Sequence, residues 1–267
     1  MKRILLAVAI MTGCHQLALA DTALDTIIAG SHRSAANQQR DIYRHPAQTL
    51  EFFGLRPDMH VVELSPGGGW YTEILAPYLR DQGKLTAAAN DPASGSEYAR
   101  RSITNFKKKL DAAPALYDKV GLGIFEPPAK IDYAANHSVD LVLTFRNIHN
   151  WISFGDDTVK FIFQQAYNSL KPGGVFGVVE HRLPESRSQD AKASSGYVHE
   201  SYVINMATSV GFTLAAKSDM NANPKDTADH DNGVWALPPT FANKEQGKAN
   251  YEAIGESDRM TLKFIKR

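Results

Sequence analysis

The chain has 267 residues, 43% of them hydrophobic and 22% charged, with a formal net charge of zero at neutral pH. This composition suits a globular protein with a full core, and it excludes the strongly basic profile of a nucleic-acid-binding protein. Cys14 is the single cysteine, so no intrachain disulfide and no multi-cysteine metal site can form. The one basic cluster, at 107–109, lies in a predicted helix and is interpreted as a solvated face.

The first twenty residues have the pattern of a secretory signal peptide. Two cations precede an apolar run at 4–11, and small residues follow at 18–20. The run is too short to span a bilayer, so we predict cleavage after Ala20 and a periplasmic or secreted protein without a stable membrane span. Cys14 leaves a lipoprotein signal as the alternative, with this cysteine as the lipidated first residue. An N-terminal core helix is the third interpretation.

Residues 21–54 form a predicted N-terminal helical segment, whose last helix begins at Pro46 and ends at Gly54. Strand and helix patterns alternate after it. The predicted strands are apolar runs at 60–64, 84–89, 119–125, 139–145, 174–180, 212–218 and 259–266. Predicted helices have apolar residues at helical spacing and lie at 70–80, 96–110, 158–170 and 194–211. Because continuously apolar strands are buried on both faces, we predict an α/β fold with a doubly wound, mostly parallel, seven-stranded sheet.

About 40 residues, at 219–258, separate the last two predicted strands. Connections of that length in a compact domain are usually functional. If the strand at 212–218 runs parallel to the others, it ends at the edge where doubly wound sheets bind ligands. We therefore predict that this insertion forms a wall or lid of the site.

The segment VVELSPGGGWYTE, at 61–73, connects the first predicted strand to a helix through Gly67, Gly68 and Gly69. Glycine lets the backbone approach a ligand closely and adopt positive φ, although a tight packing turn would also use it. Thr72 stands where the dinucleotide fingerprint has its third glycine, which argues against an NAD-dependent oxidoreductase, and no P-loop lysine follows. The turn is predicted to hold a nucleoside ligand without phosphate groups.

This segment resembles the first motif of class I S-adenosylmethionine-dependent methyltransferases, an apolar strand followed by an acid and Gly-x-Gly-x-Gly. Glu63 occupies the acid position, Gly67 and Gly69 occupy the last two glycine positions, and Ser65 replaces the first glycine. The replacement suits the motif if Ser65 avoids positive φ. The family's second acid ends the second strand and binds the ribose hydroxyls, a role that the resemblance gives to Asp91.

The resemblance covers nearly the whole chain after the signal. LKPGG, FRNIHNW and IGESDRMTLKF, at 170–174, 145–151 and 254–264, are part of it, and the chain is similar to a group of secreted bacterial proteins described as predicted methyltransferases. It implies a Rossmann-like methyltransferase domain at 55–267 with an antiparallel last strand, and S-adenosylmethionine as cofactor. The cofactor-binding candidates are Glu63, Ser65, Gly67, Gly68, Gly69, Tyr71, Asp91 and Asn147.

Two aromatic residues, Trp70 and Tyr71, come directly after the glycine turn. The methyl donor is a sulfonium cation, so an aromatic face beside it would provide a cation–π contact. Alternatively, both rings pack the first helical turn into the core. The sequence leaves the two interpretations open.

Methyl transfer requires alignment of the reactants and, for most acceptors, a proton acceptor. Arg146, Asn147, His149 and Asn150 follow the predicted strand at 139–145, at the edge where this fold binds its acceptor. His149 is the first candidate for the general base, because an unperturbed histidine pKa near 6.5 suits proton transfer at neutral pH. A structural histidine at a helix start is the alternative. Arg146 is a candidate to bind an anionic acceptor, and the two asparagines to orient it.

Glu180 and His181 end the predicted strand at 174–180 and form a second candidate pair at the same edge. Ion pairing along the loop is the alternative interpretation for both.

Two other polar clusters are interpreted as surface features. One is the segment that precedes the domain, which could fold over the donor and contains Arg40, Asp41, Tyr43, Arg44 and His45. A polar helix face is the simpler interpretation for any one of them. The cluster at 229–231 lacks the paired-histidine spacing of metal sites, so we predict a surface turn and no metal site.

The leading hypothesis is therefore a methyltransferase that acts on a small molecule. Because the methyl donor is made in the cytosol, an exported enzyme would need a supply of it outside. The second hypothesis is an exported binding protein that keeps the fold without catalysis.

Overall fold

The structure is a computed structural model that describes residues 22–267. The predicted signal peptide and the alternative at Cys14 lie outside the described residues. Among the described helices, none combines the length and the apolar character needed to cross a membrane.

A single sheet organises the chain. Its strands are β1 His60–Leu64, β2 Lys84–Ala89, β3 Gly121–Glu126, β4 Lys130–Asp132, β5 Val139–Phe145, β6 Leu170–Leu183, β7 Val198–His199, β8 Phe212–Ser218 and β9 Arg259–Lys266. The strand order is β4-β3-β2-β1-β5-β6-β9-β8, and β7 pairs with β6. Strands β1, β2, β3, β5 and β6 pair in parallel, whereas β9 is antiparallel to β6 and β8.

The predicted α/β fold with a mostly parallel sheet and an antiparallel last strand is confirmed. The sheet has nine strands rather than seven in the described chain. The two additional strands, β4 and β7, have three and two residues. They are too short to produce the apolar run by which the other strands are predicted.

Helices flank the sheet. They are α1 Thr22–Ile28, α2 Ala35–Gln38, α3 Asp41–Arg44, α4 Pro46–Phe53, α5 Thr72–Leu79, α6 Glu97–Asp111, α7 Pro114–Tyr117, α8 Ile148–Ile152, α9 Asp156–Ser169, α10 Glu200–Ser209 and α11 Lys248–Ile254. Gly54 ends α4 in the left-handed conformation, with φ +81°. The predicted helix start at 194 is wrong: Gly196 has φ +82° and β7 follows it, so α10 begins at Glu200.

Two hydrophobic layers cover the two faces of the sheet. Neighbouring residues of β1 point to opposite faces, so Val62 packs with Ile162 and Phe163 of α9, while Val61 packs in the second cluster with Ile74 of α5. Burial on both sides explains why these strands are continuously apolar. The carboxyl ends of β1, β5 and β6 then meet at one edge.

The same edge receives both ends of the segment between the last two strands. Since β9 is antiparallel to β6 and to β8, strand β8 runs parallel to β6 and ends at this edge, where β9 begins. Residues 219–258 therefore leave the sheet and return to it beside the carboxyl ends of β1 and β5.

Candidate functional site

Two cavities lie at this edge, and they share a wall formed by 65–67 and Asn147. The first, of about 490 Å³, is lined by Arg40, Arg44 and Arg146 among others, and we call it the arginine cavity. The second, of about 590 Å³, we call the apolar cavity. Its lining includes Ile103, Phe106, Pro127, Trp151 and Phe154.

Gly67 exposes bare backbone to both cavities, and Gly68 exposes it to the arginine cavity. A Cβ atom added at Gly67 or Gly68 would meet no atom within 4 Å, and Gly67 has φ +56°. Gly69 differs, because its Cβ would lie 3.1 Å from Phe106 Cε2, so this glycine permits packing of α6. Two of the three predicted glycines thus border open space.

Ser65 does not avoid positive φ, since it has φ +50°. It therefore replaces a glycine at a position where an L-residue is strained. Ser65 still lines both cavities, and its amide donates to the carbonyl oxygen of Ala88 at 2.9 Å.

Lys109 is a site neighbour that sequence reasoning missed, because a run of three lysines reads as a solvated face. Its Nζ donates to the carbonyl oxygen of Gly68 at 2.9 Å and lies 2.6 Å from Oε1 of Glu73. The lysine therefore fixes the outer side of the glycine turn.

Glu63 lines the arginine cavity and is 2% exposed. Thr72 Oγ1 donates to Glu63 Oε2 at 2.6 Å. Burial raises the pKa of this carboxyl to about 7, against smaller lowering effects of Thr72 and Lys109. A cation bound in the cavity would stabilise the charged form of Glu63.

The two aromatic residues after the turn have different surroundings. Trp70 donates its Nε1 hydrogen to the carbonyl oxygen of Asn37 at 3.1 Å, and the guanidinium carbons of Arg33 and Arg44 lie 4.9 and 4.6 Å from its ring centre. The protein's own cations therefore make the cation–π contacts of this ring. Tyr71 stacks on Phe145 with ring centres 3.5 Å apart and lines the arginine cavity.

Asp91 is not among the residues that line either cavity. Its Oδ1 accepts from the amide of Ala93 at 2.8 Å, and its Oδ2 lies 3.1 Å from Lys130 Nζ. Asn90 and Glu126 line the apolar cavity instead, and Glu126 Oε2 accepts from the Asp91 amide at 2.9 Å. The carboxylate nearest the apolar cavity on this side thus comes from the end of β3, which sequence reasoning did not single out.

Asn147 connects the ends of two strands and lines both cavities. Its Nδ2 donates to the carbonyl oxygen of Leu64 at 3.1 Å and to Thr144 Oγ1 at 3.2 Å. The side chain therefore fixes the carboxyl end of β1 against that of β5.

The two predicted catalytic groups form one cluster. Glu180 is fully buried, and its Oε1 lies 3.0 Å from Nδ1 of His149. Its carboxylate also accepts from the amides of Ile148 at 2.6 Å, His149 at 3.3 Å and His181 at 2.8 Å. The Glu180 carboxylate accepts a hydrogen bond from His149 Nδ1. The other ring nitrogen of His149, Nε2, is therefore the one left for a ligand in the arginine cavity.

His181 lines the same cavity, and its ring centre lies 5.4 Å from that of His149. Its Nδ1 lies 2.5 Å from Ser257 Oγ. Burial, with the nearby His149 and Arg146, holds the pKa of His181 well below its usual value. This ring is therefore neutral at neutral pH.

Metal binding by this cluster needs separate consideration. Ligand atoms of His149, Glu180 and His181 lie within 4.8 Å of one another, close enough for a metal ion. The Glu180 oxygens, however, already accept four hydrogen bonds. This carboxylate is better described as the group that orients His149.

The polar cluster at 229–231, predicted to be a surface turn, is a separate feature. There, His230 Nε2 lies 2.8 Å from Asp226 Oδ1.

A cluster of arginines surrounds one carboxylate at the mouth of the cavity. Glu256 lies 2.5 Å from Arg40 Nε, 3.1 Å from Arg44 Nε and 2.9 Å from Arg259 Nη2. Burial alone would raise the pKa of Glu256, but Arg259, Arg44 and Arg40 outweigh it and lower the pKa to about 2. The polar-face interpretation is wrong for Arg44, which is 1% exposed.

The segment between β8 and β9 supplies part of the cavity wall. Trp235 lies in a short 3₁₀-helix, Gly233–Ala236, with its ring centre 5.9 Å from that of His149. Glu256 and Ser257, near the other end of the segment, line the same cavity. Sequence reasoning placed this segment at the site but singled out none of these residues.

No protein-family model and no curated protein matches the chain. Solved structures do match. A SAM-dependent methyltransferase from Aquifex aeolicus is 17% identical, with 68% of this chain and 86% of that one covered and a TM-score of 0.52. Geranyl diphosphate C-methyltransferase from Streptomyces coelicolor A3(2), in complex with Mg2+, geranyl diphosphate and S-adenosyl-L-homocysteine, is 13% identical, with 93% and 89% covered and a TM-score of 0.57.

A third match, the [4+2]-cyclase SpnF, is 15% identical, with 92% of both chains covered and a TM-score of 0.55. A fold shared with a cyclase does not by itself establish methyl transfer, because one fold hosts several chemistries. What the likeness and the strand order establish is the architecture: the chain has the Rossmann-like fold of S-adenosylmethionine-dependent methyltransferases.

Proposed function

We propose that the protein is an S-adenosylmethionine-dependent methyltransferase that acts on a small-molecule acceptor. One observation carries the proposal: a single cavity brings the open glycine turn and the buried Glu63 together with the His149–Glu180 pair. A donor site and a proton acceptor are the two elements that methyl transfer to oxygen or nitrogen needs.

The residues present fit the donor. The apolar cavity has room for a nucleoside. Gly67 presents backbone without a side chain to both cavities, and Gly68 presents it to the arginine cavity. Asn90 and Glu126 offer polar contacts to a ribose or a base, in place of Asp91. Glu63 would face the cationic part of the donor from the arginine cavity.

When bound, the donor would supply an activated methyl group for an acceptor oxygen or nitrogen, and the electron pair of the carbon–sulfur bond would remain on sulfur. His149 Nε2 takes the proton of that acceptor. Glu180 holds the ring by its Nδ1 hydrogen and stabilises the imidazolium that forms, which fixes the orientation of the base. A base of this kind contributes about 10²–10⁴-fold to the rate.

Calorimetry with S-adenosylmethionine and S-adenosylhomocysteine, followed by a labelled-methyl screen of acceptors, tests the proposal. We expect both ligands to bind and His149→Ala to lower transfer by at least about a hundredfold without loss of donor binding. His137→Asn is the control, because His137 is remote from the cavity and has φ +55°, which asparagine tolerates. Absence of donor binding would remove the proposal, and equal rates of wild type and His149→Ala would remove the base.

A non-catalytic binding protein is the second candidate, favoured by the position of Asp91 outside both cavities. It would bind the donor and show no transfer to any acceptor in the screen. For either function we propose export by the N-terminal signal and no nucleic acid as partner.

A further inference from the structure

We propose that the acceptor is a small organic anion, held in the arginine cavity by Arg44 and Arg146 and methylated on a neighbouring hydroxyl or amine. The inference deepens the proposed function and rests on it. It follows from the charges of the cavity, from two guanidinium groups with free donors, and from their position beside His149.

The charges around the cavity do not balance. Arg40, Arg44 and Arg146 line the cavity, and Arg259 pairs with Glu256 beside them. Within residues 22–267, Glu256 is the one carboxylate that pairs with these four cations, and burial raises the pKa of Glu63, the other carboxyl of the lining, to about 7. Glu180 is buried behind His149. An excess of positive charge in a partly buried cavity attracts an anionic ligand.

Two of the arginines have donors that no described residue uses. Nη1 and Nη2 of Arg44 are buried without a hydrogen-bond partner, and the Arg146 side chain forms no hydrogen bond or ion pair within residues 22–267. Burial and the neighbouring arginines lower the pKa of Arg44, and they lower the pKa of Arg146 to about 10. A guanidinium in this state gains strongly from an oxyanion, whose geometry matches its fork of N–H groups.

The donor does not supply the missing charge. S-adenosylmethionine carries a sulfonium and an ammonium against one carboxylate, so its binding adds one net positive charge to the site. Its carboxylate could contact one arginine, but the excess of cations then increases. The second reactant is therefore the source of the balancing anion.

Arg146 also has the right position for an acceptor. It follows β5 in the left-handed conformation, with φ +61°, and its amide donates to the Val179 carbonyl oxygen at 2.7 Å. Strained residues of this kind persist where the surrounding structure enforces them, often at functional sites. His149 lies three residues further along the chain and lines the same cavity. The groups next to an acid held by Arg146 would therefore lie in the space that His149 borders.

The same cations disfavour metal binding by His149, Glu180 and His181. A divalent metal ion at His149 and His181 would lie among Arg44, Arg146 and Arg259, which already lower the pKa of His181. Like charges repel strongly in a cavity of low dielectric.

Calorimetry with matched anionic and neutral probes, benzoate against benzamide and acetate against acetamide, tests the inference. The full-length protein is titrated with and without saturating S-adenosylhomocysteine. When this ligand is bound, its own carboxylate occupies the part of the site that the donor carboxylate would use. Inorganic phosphate serves as a third probe for oxyanions without a carbon skeleton. We expect at least one acid to bind at least about tenfold more tightly than its amide.

Arg146→Gln should remove this preference, because Arg146 is half-buried and its loss leaves no buried partner unsatisfied. Arg56→Gln, which changes an exposed arginine paired with Asp58, is the matched control and should keep the preference. Arg44→Lys is the second variant. It keeps the positive charge but loses the fork of guanidinium N–H groups, so it tests whether the preference for the acid depends on that geometry.

The outcomes separate the two proposals. If S-adenosylhomocysteine binds and no acid is preferred over its amide, or if Arg146→Gln keeps the preference, the anionic acceptor is wrong and the methyltransferase proposal stands. If the acids are preferred but S-adenosylhomocysteine does not bind, the anion site stands and the donor assignment is wrong. Preference for phosphate alone would replace the organic acid by a phosphate-bearing acceptor and overturn the carboxylate form of the inference.

Discussion

Glu63 is the residue at which the chemistry of the site and the stability of the fold conflict. Glu63 is 2% exposed, and within residues 22–267 its carboxylate accepts one side-chain hydrogen bond, from Thr72. Burial therefore outweighs that bond and raises its pKa from 4.5 to about 7. A buried acid of this kind is costly to ionise, and titratable groups with strongly shifted pKa values cluster at functional sites.

Replacement of Glu63 by glutamine should stabilise the protein at high pH. The folded state holds the carboxyl proton more tightly than the unfolded state, so stability falls as pH rises from 4.5 to about 7. Above that window the full penalty, on the order of 3 kcal/mol, remains. Urea unfolding of Glu63→Gln and wild type should show nearly equal free energies at pH 4 and a more stable variant at pH 8.

Glu51→Gln, in the exposed part of α4, is the control and should show no such pH-dependent difference. A difference between Glu63→Gln and wild type that does not change between pH 4 and pH 8 would contradict the raised pKa. The variant should also bind S-adenosylmethionine less tightly, because it lacks the negative charge that would face the cationic donor.

Four residues of the site show what a sequence reveals at this scale. Glu63 and Gly67, which the motif predicts to bind the cofactor, line the arginine cavity, and their role in binding stays a prediction. The sequence did not predict that Ser65 and Arg146 are both left-handed, since nothing in the chemistry of serine or arginine requires positive φ. Such backbone strain is set by the surrounding structure, which one sequence does not display.

At the scale of elements, the N-terminal segment depends on contacts with the rest of the chain. Helices α1, α2 and α3 have seven, four and four residues, too few to be stable alone. Arg33 makes a bidentate pair with Asp41, at 2.7 and 2.8 Å, within the segment. Glu256 connects the segment to the far end of the chain through Arg40 and Arg44. One carboxylate thus holds the N-terminal helices, the start of β9 and the cavity wall together.

Glu256→Gln should therefore destabilise the protein by about 3 kcal/mol, because removal of one partner leaves buried arginines without their counter-charge. Urea unfolding measures the loss. Hydrogen exchange should speed up in α2, α3 and the 3₁₀-helix before it does so in the parallel strands.

Glu245→Gln is the matched control, since Glu245 is 87% exposed in its side chain and pairs only with Lys248 among the described residues. We expect it to leave the free energy of unfolding within about 0.5 kcal/mol of wild type. If Glu256→Gln were equally neutral, the arginines would not depend on this carboxylate, and the charge count of the cavity would have to be revised.

At the scale of the whole molecule, the order of elements was predictable and the partners across the site were not. The seven longer strands lie where apolar runs predicted them, because strands covered on both faces must be apolar throughout. The pair of Arg44 and Glu256 joins residues 212 positions apart. Periodicity reports only local structure, so neither that contact nor the placement of Glu126 at the apolar cavity could be inferred from spacing.

Export is the proposal that concerns the chain as a whole, and it determines where the enzyme meets its donor. Residues 1–20 are expected to direct secretion, with cleavage after Ala20, whereas a lipoprotein signal would make Cys14 the first residue. The intact mass of the protein recovered from the periplasm of an expressing bacterium separates these forms. We expect a chain that begins at Asp21, unchanged in Cys14→Ser and left uncleaved in Ala20→Arg, because the cleavage site requires a small residue there. A lipid-modified mass that disappears in Cys14→Ser would instead assign the protein to a membrane surface, and a full-length chain in the cytosol would remove both forms of export and with them the question of donor supply.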